Sequence, residues 1–447
     1  MVGYFVKKYS SVLNKVDPIR KYGRVRQVIG LVIEADGPPS KIGEICLIKI
    51  TSNNYIRAEI VGFRNNKVLL MPIGNIEGIY PGCEVIATGK PLMVKVGEQL
   101  KGRILNGLGE PIDGKGPLKG VTEYSILNDP SDPLQRRRIT EPLALGIRAL
   151  DGILTVGKGQ RIGIFSGSGV GKSVLLGMIS RYTNAQVNVI ALIGERGREV
   201  RDFIEKDLGE EGLKRSVLIV ATSDKAPLVR LRGAFVATTI AEYFRDCGYD
   251  AILMMDSVTR FARSQREVGL AIGEPPATRG FTPSVFTLLP KLLERSGTSQ
   301  EGSITGLYTI LVDADDMNEP VADNVRGILD GHIVLSRDLA AHNHYPAIDV
   351  LESISRVMVD IVPKAHMQSA RKLKEVVATM KDAQDLINIG AYVKGSNPKI
   401  DYALTMIDKV NNFLKQDMYE HSKYKDTINN ILDMFEEEKV NMGYKNR

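Results

Sequence analysis

The sequence predicts an α/β protein in three parts: a small N-terminal β-barrel, a central domain on a mainly parallel sheet, and a C-terminal helical domain. Three textures carry that reading. From Tyr22 to Pro91, short β-branched stretches such as "GRVRQVIGLVIEADG", "YIRAEIVGF" and "GCEVIATG" recur between turn residues, the spacing of a small barrel. From Gly146, apolar runs ("RIGIF", "VNVIALIG", "SVLIVAT", "AILMMDS", "LYTILV", "GHIVLS") alternate with helical stretches, the pattern of parallel strands covered on both faces. Beyond Pro363 the strand-like runs cease, and "ARKLKEVVATMKDAQDLINIGAY", "YALTMIDKVNNFLKQ" and "DTINNILDMFEEE" carry a helical period.

The expected boundaries are an amphipathic arm over 1–21, the barrel over 22–92, the central domain over 93–365 and the helical domain over 366–447. The arm places Phe5, Tyr9, Val12, Leu13 and Val16 at helical spacing until Asp17-Pro18 ends the pattern. It suits packing on its own domain as well as it suits docking to a partner or lying on a membrane surface. The last helix, with Ile428, Ile431, Leu432 and Phe435 on one face, is expected to pack within its own domain.

Composition narrows the function classes. A hydrophobic fraction of 43% and a charged fraction of 25% are ordinary for a globular chain, and no unbroken apolar run is long enough for a membrane span or a secretory signal. These features place the chain in the cytoplasm. Cys46, Cys83 and Cys247 have no paired spacing and are expected to be small core residues. A net charge of +6 over 447 residues is too modest for a dedicated nucleic-acid binder.

The chemistry concentrates in "FSGSGVGKSVLL", Phe165–Leu176, which follows a strand and opens a helix. It is a phosphate-binding loop but for Ser166, where the pattern asks for glycine. In such a loop the backbone from Ser166 through Gly167, Ser168, Gly169, Val170 and Gly171 to Val174 surrounds phosphates. Lys172 reaches the outer phosphates and the Ser173 hydroxyl ligates Mg2+. Ser166 is acceptable if its φ is negative, leaving Gly167, Gly169 and Gly171 to supply positive φ and close approach. "AILMMDS" brings Asp256 to the end of a buried strand, where it would hold Mg2+ through water. "ALIGERGREV" brings Glu195 and Arg196 to another strand end, suited to polarising a water and holding a terminal phosphate.

Together "GSGVGKS", "GERGREVRDFI", "DSVTRFARSQREV", "GEPPATRGFTPSVF", "GSITGLYTILVDADD" and "HYPAIDVLESISRVM" resemble the hexameric ATPases of rotary ATP synthases and type III protein export. Within that family the chain is most similar to the flagellar export branch. The resemblance spans nearly the whole chain and implies a RecA-like core with ATP as substrate and Mg2+ as cofactor. It also implies that Glu195 activates water, that Arg196 and Arg260 contact phosphates and that Tyr345 stacks on adenine. Arg356 would be an arginine finger reaching the neighbouring subunit, so that a homohexamer carries its sites between chains.

The implied partners are a stator-like regulator dimer at the N-terminal arm, a stalk-like export protein, the membrane export gate, and export chaperones with their cargo. No specific nucleic acid is expected. The implied location is the cytoplasm, peripheral to the inner face of the cell membrane. The chain departs from the ATP synthase catalytic subunit at Ser166 and Ser173, and it has "AYVKGSNPKID" where that subunit has an acidic stretch, though it keeps "FLKQ". Alternatives are a virulence-type secretion ATPase, an RNA-translocating ring ATPase and an ATP synthase subunit.

Overall fold

The computed structural model describes residues 22–74, 76–312 and 316–443. The arm expected over 1–21, and Asp313, Ala314 and Asp315 of "VDADD", lie outside the described residues.

The N-terminal strands are β1 (Tyr22–Ile29), β2 (Val32–Asp36), β3 (Glu44–Lys49), β4 (Tyr55–Arg64), β5 (Lys67–Pro72) and β6 (Glu84–Pro91). They close antiparallel in the order β1-β2-β5-β4-β3-β6. Ile33, Cys46, Ile48, Ala58, Ile60 and Leu70 fill the interior without exposure. Alternation along each strand sends their neighbours outward. Cys83 joins this core, but Cys247 does not: it is exposed at the C-terminal end of the helix Pro227–Asp246, which corrects the expectation of three core cysteines.

The central sheet runs, in spatial order, Ile348–Ser355, Gly331–Leu335, Arg161–Ser166, Ser303–Leu311, Asp250–Asp256, Val187–Ile193, Ser216–Ala221 and Arg103–Asn106. Every pairing along that path is parallel except the first, which is antiparallel. All six apolar runs read from the sequence are among these strands. The two edge strands were not read. "RILN" is too short to show a period, and "IDVLESIS" intersperses charged residues because only part of an edge strand is covered.

Alternation divides the buried strand residues between two cores. Val189, Ala191, Leu253 and Met255 face the helices Pro227–Asp246 and Val258–Ile272. Ile190, Leu192, Ile252 and Met254 face the helix Lys172–Tyr182 and the C-terminal helices. That second core contains Phe413, Leu414, Ile431 and Phe435 beside Leu145, Ile147 and Leu150. The last helix therefore does not pack only within its own domain. A Cβ on Gly152 would lie 2.9 Å from Phe413 and 3.4 Å from Thr427, so the helical region is seated directly on the helix Arg148–Ile153. At the other end, Arg232 donates from Nε to Glu59 of β4 at 2.7 Å, joining the barrel to the central helices.

Candidate functional site

The strands Arg161–Ser166, Val187–Ile193 and Asp250–Asp256 are parallel, so their C-terminal ends open on one edge, where ligands of open α/β sheets bind. A cavity of about 560 Å³ lies there. Ser166, Gly167, Ser168, Gly169, Gly171, Lys172, Ser173 and Val174 line one side; Glu195, Arg196, Glu199 and Arg260 line another. Val170 turns away into the second core.

Gly169 and Gly171 have φ of 81° and 90°, and Gly171 is the N-terminal cap of the helix Lys172–Tyr182. A side chain at either would strain the turn. Gly167 lies outside the left-handed region, so of the two uses expected of these glycines it serves the second, close approach. Its requirement is steric: a Cβ there would lie 2.5 Å from Nε and Nη2 of Arg337. Ser166 likewise avoids positive φ, as the sequence argument required. It is the last residue of its strand, buried, and its hydroxyl has no hydrogen-bond partner among the described residues.

Lys172 Nζ lies 2.5 Å from Asp256 Oδ1 and 3.7 Å from Glu195 Oε1. Thr309 donates to Asp256 Oδ1 at 2.8 Å. Ser257 caps the helix Val258–Ile272, which sets Arg260 in its first turn beside the Asp256 strand. From there Arg260 Nη2 donates to Glu195 Oε2 at 3.3 Å. Glu195 Oε1 is buried in an ion pair 3.2 Å from Arg260 Nε, whose geometry is not that of a hydrogen bond, so its lone pairs can also accept from a small ligand such as water. Arg196 stands at the mouth, largely exposed, 3.2 Å from Glu199.

Burial pushes the Glu195 carboxyl up to about 7, reinforced by the Asp256 charge and by a hydrogen bond with Glu199; Lys172 and Arg260 oppose the shift. Glu199 moves the other way, held below its ordinary value first by that hydrogen bond. The two carboxyls are thus driven in opposite directions, Glu195 being the one that favours its proton. The Ser173 hydroxyl on the cavity wall and the Asp256 carboxylate, ion-paired to Lys172 behind it, are hard oxygen ligands of the kind that fits Mg2+.

Tyr345 lies in an adjoining, mostly apolar pocket of about 320 Å³. Val170, Gly171, Val174 and Met178 form one wall, and Leu335, Pro346 and Met418 contribute others. Gly171 and Val174 belong to both cavities, so a ligand reaching from one to the other passes along the loop. Gln416 joins the walls: its backbone N–H donates to Tyr345 O at 2.9 Å and its Nε2 to Gly146 O at 2.9 Å, and Arg148 N–H donates to its Oε1 at 2.9 Å.

Arg356 lines neither cavity; it is exposed just beyond the edge strand Ile348–Ser355. The fold thus gathers Lys172, Ser173, Glu195, Arg196, Asp256 and Arg260, sets Tyr345 beside them and leaves Arg356 outward. Sequence reasoning missed Glu199, Thr309, Arg337 and the Gln416–Met418 wall. Glu199 was recoverable, one helical turn after Glu195; the others carry no local signal.

Residues 25–89 match the β-barrel domain of the ATP synthase alpha/beta family, and residues 146–355 match its nucleotide-binding domain. Residues 362–433 match the C-terminal domain of the type III secretion ATPase EscN. The chain is 55% identical over 418 residues to the flagellum-specific ATP synthase of Bacillus subtilis, covering 93% of this chain and 95% of that one. To the type 3 secretion system ATPase of Xanthomonas euvesicatoria it is 50% identical over 410 residues, covering 92% and 93%. The assembled ATPase EscN from the enteropathogenic E. coli type III secretion system matches with a TM-score of 0.87 at 46% identity, covering 92% of this chain and 99% of that one. EscN in complex with its central stalk EscO matches at 0.86 and 45% identity, over 92% and 99%.

Proposed function

The chain belongs to the ATP synthase alpha/beta family, and from that premise we propose that it is the ATP hydrolase of a bacterial flagellar protein-export apparatus. The observation that carries the hydrolase reading is the convergence of Lys172, Glu195 and Arg260 on one loop-lined cavity, with Asp256 ion-paired to Lys172 behind it. Identity of 55% to a flagellar relative against 50% to a virulence-type one supports the flagellar branch.

ATP enters with its base against Tyr345 and its phosphates along Gly167–Ser173. The phosphates compete with Asp256 for Lys172, while the loop N–H groups and the helix N-terminus take up their charge. Glu195 Oε1 holds a water in line with the terminal phosphorus, and Arg260 fixes the Glu195 carboxylate. As the water oxygen bonds to phosphorus, the bond to the ADP oxygen breaks and the proton passes to the carboxylate or the departing phosphate. Ser173 and, through water, Asp256 would hold Mg2+, which would supply charge neutralisation on the phosphates. Positioning and charge neutralisation supply most of the rate.

Arg356 is exposed and lines neither cavity, which supports a role in a neighbouring chain's site and with it a closed ring of identical chains. We assign a homohexamer with a stalk-like partner, by analogy with the EscN assembly and its EscO complex. A regulator dimer at the N-terminal arm, the membrane export gate and chaperone-bound cargo complete the proposed partners. No helix among the described residues is long and apolar enough to cross a membrane. The proposed location is cytoplasmic, at the inner membrane face through the export gate.

The test is ATP turnover per chain against protein concentration, with and without a purified stalk-like partner. Turnover should rise steeply as rings assemble and respond to the stalk. Equal turnover per chain from dilute monomer to ring would overturn the interfacial mechanism.

A further inference from the structure

Arg337 is the cation of the phosphate cavity that neither the motif reading nor the mechanism above employs. It opens the short helix Arg337–Ala341 after the strand Gly331–Leu335, the neighbour of the loop strand Arg161–Ser166. Glu195 and Asp256 stand at strand ends on the other side of that loop strand, so Arg337 approaches the loop from the opposite flank. Its guanidinium lies flat against Gly167: a Cβ on that glycine would be 2.5 Å from Nε and Nη2 and 2.9 Å from Cζ. No backbone need excludes a side chain at Gly167, whose φ is not positive. The glycine's absent side chain is the space the guanidinium fills.

The base pocket and the phosphate cavity meet at Gly171 and Val174, whereas Gly167 and Arg337 line only the phosphate cavity. A nucleotide with its base at Tyr345 runs along the loop from Gly171 toward Gly167, so the group reaching Arg337 is the last phosphate. A planar fork with fixed donors suits bidentate contact with phosphate oxygens. Arg337 is also coupled to the base end. Ser336 caps its helix, accepting from Leu339 N–H, and His344 N–H donates to Leu339 O at 2.9 Å, one residue before Tyr345.

We propose that Arg337 contacts the terminal phosphate of ATP from within the same chain and makes binding selective for the triphosphate over the diphosphate. This rests on the hydrolase reading above. The experiment measures equilibrium affinities of the full-length protein for a non-hydrolysable Mg-ATP analogue, Mg-ADP and AMP. The variants are Arg337→Gln, Arg337→Lys, Gly167→Ala and the Gly167→Ala/Arg337→Gln double.

In Arg337→Gln, affinity for the ATP analogue should fall at least about tenfold relative to ADP, the scale of one charged hydrogen bond, with AMP unchanged. Arg337→Lys should recover part of the preference, keeping the charge without the fork. Gly167→Ala should reproduce the loss by displacing the guanidinium, and the double variant should be no worse than Arg337→Gln alone. An unchanged ATP-to-ADP ratio in Arg337→Gln, or losses that add in the double, would overturn the assignment. Should Arg337→Gln not fold, an unchanged ratio in Gly167→Ala overturns it equally. A parent that binds neither nucleotide would instead sink the hydrolase reading, whereas binding of both with unaltered ratios removes only Arg337.

Discussion

The loop-lined cavity proposed for the phosphates and the Tyr345 pocket proposed for the base share Gly171 and Val174 yet are built in opposite ways. Most of the phosphate wall comes from one run, Ser166–Val174, and from charged residues just beyond the ends of adjacent parallel strands. The base pocket takes small contributions from four separated stretches: the loop and its helix, Leu335, Tyr345–Ala347 and Gln416–Met418. One is charged and partly made of backbone; the other is mostly apolar and made by packing. Phosphate chemistry, which needs N–H groups and charges at fixed spacing, leaves a mark in the sequence. An apolar slot needs only shape, which many residues supply.

The largest effect should come from outside both regions. Arg356→Ala is expected to lower turnover by roughly 10³ to 10⁵ in assembled rings while leaving nucleotide affinity near that of the parent. Single-turnover hydrolysis on size-selected rings checks it, and near-parental turnover would mean that the site is complete within one chain. The base pocket should respond differently. Tyr345→Ala should weaken ATP and ADP alike by roughly 5- to 150-fold, the worth of one aromatic stack, without altering the ratio between them. Calorimetric titration of both nucleotides reads this directly, and a change in the ratio would show that the two regions are not separable in the way their construction suggests.

The smallest effect is a shift in pH. In the proposed mechanism Glu195 must be ionised to orient water, and burial pushes its carboxyl up to about 7, so kcat/KM for ATP should rise as pH increases through neutrality. Glu199 holds the protonated form by a hydrogen bond. Glu199→Gln removes that acceptor and offers a donor to the carboxylate, so the acid limb should move to lower pH. A limb that stays in place, or moves upward, would assign the titration to another group.

The same contrast explains what was legible. The parallel strands were readable because strands buried on both faces must be continuously apolar: "VNVIALI" is buried at every position. Lys172, Ser173, Glu195 and Asp256 were readable because each follows or ends such a strand. Arg337 was not, since an arginine opening a surface helix reads as a solvated charge until packing sets it against Gly167. Gln416 was hidden for a related reason, lying 268 positions from its backbone donor at Arg148. For Gly167 the need for a glycine was legible but not which of its two uses applied, conformational freedom or empty space, because sequence does not distinguish them.

The sequence by itself determined the barrel, the parallel sheet, the helical end and the glycine-rich loop, because each is enforced by local chemistry: side-chain alternation, continuous apolarity, helical period, and glycines at a strand-to-helix turn. Tertiary structure alone decided that the last helices share a core with the nucleotide domain, that Met418 and Gln416 wall the pocket of Tyr345, and that Arg337 fills the space above Gly167. Those contacts join residues far apart in the chain. They follow from how buried surfaces fit together in three dimensions, which no local spacing encodes.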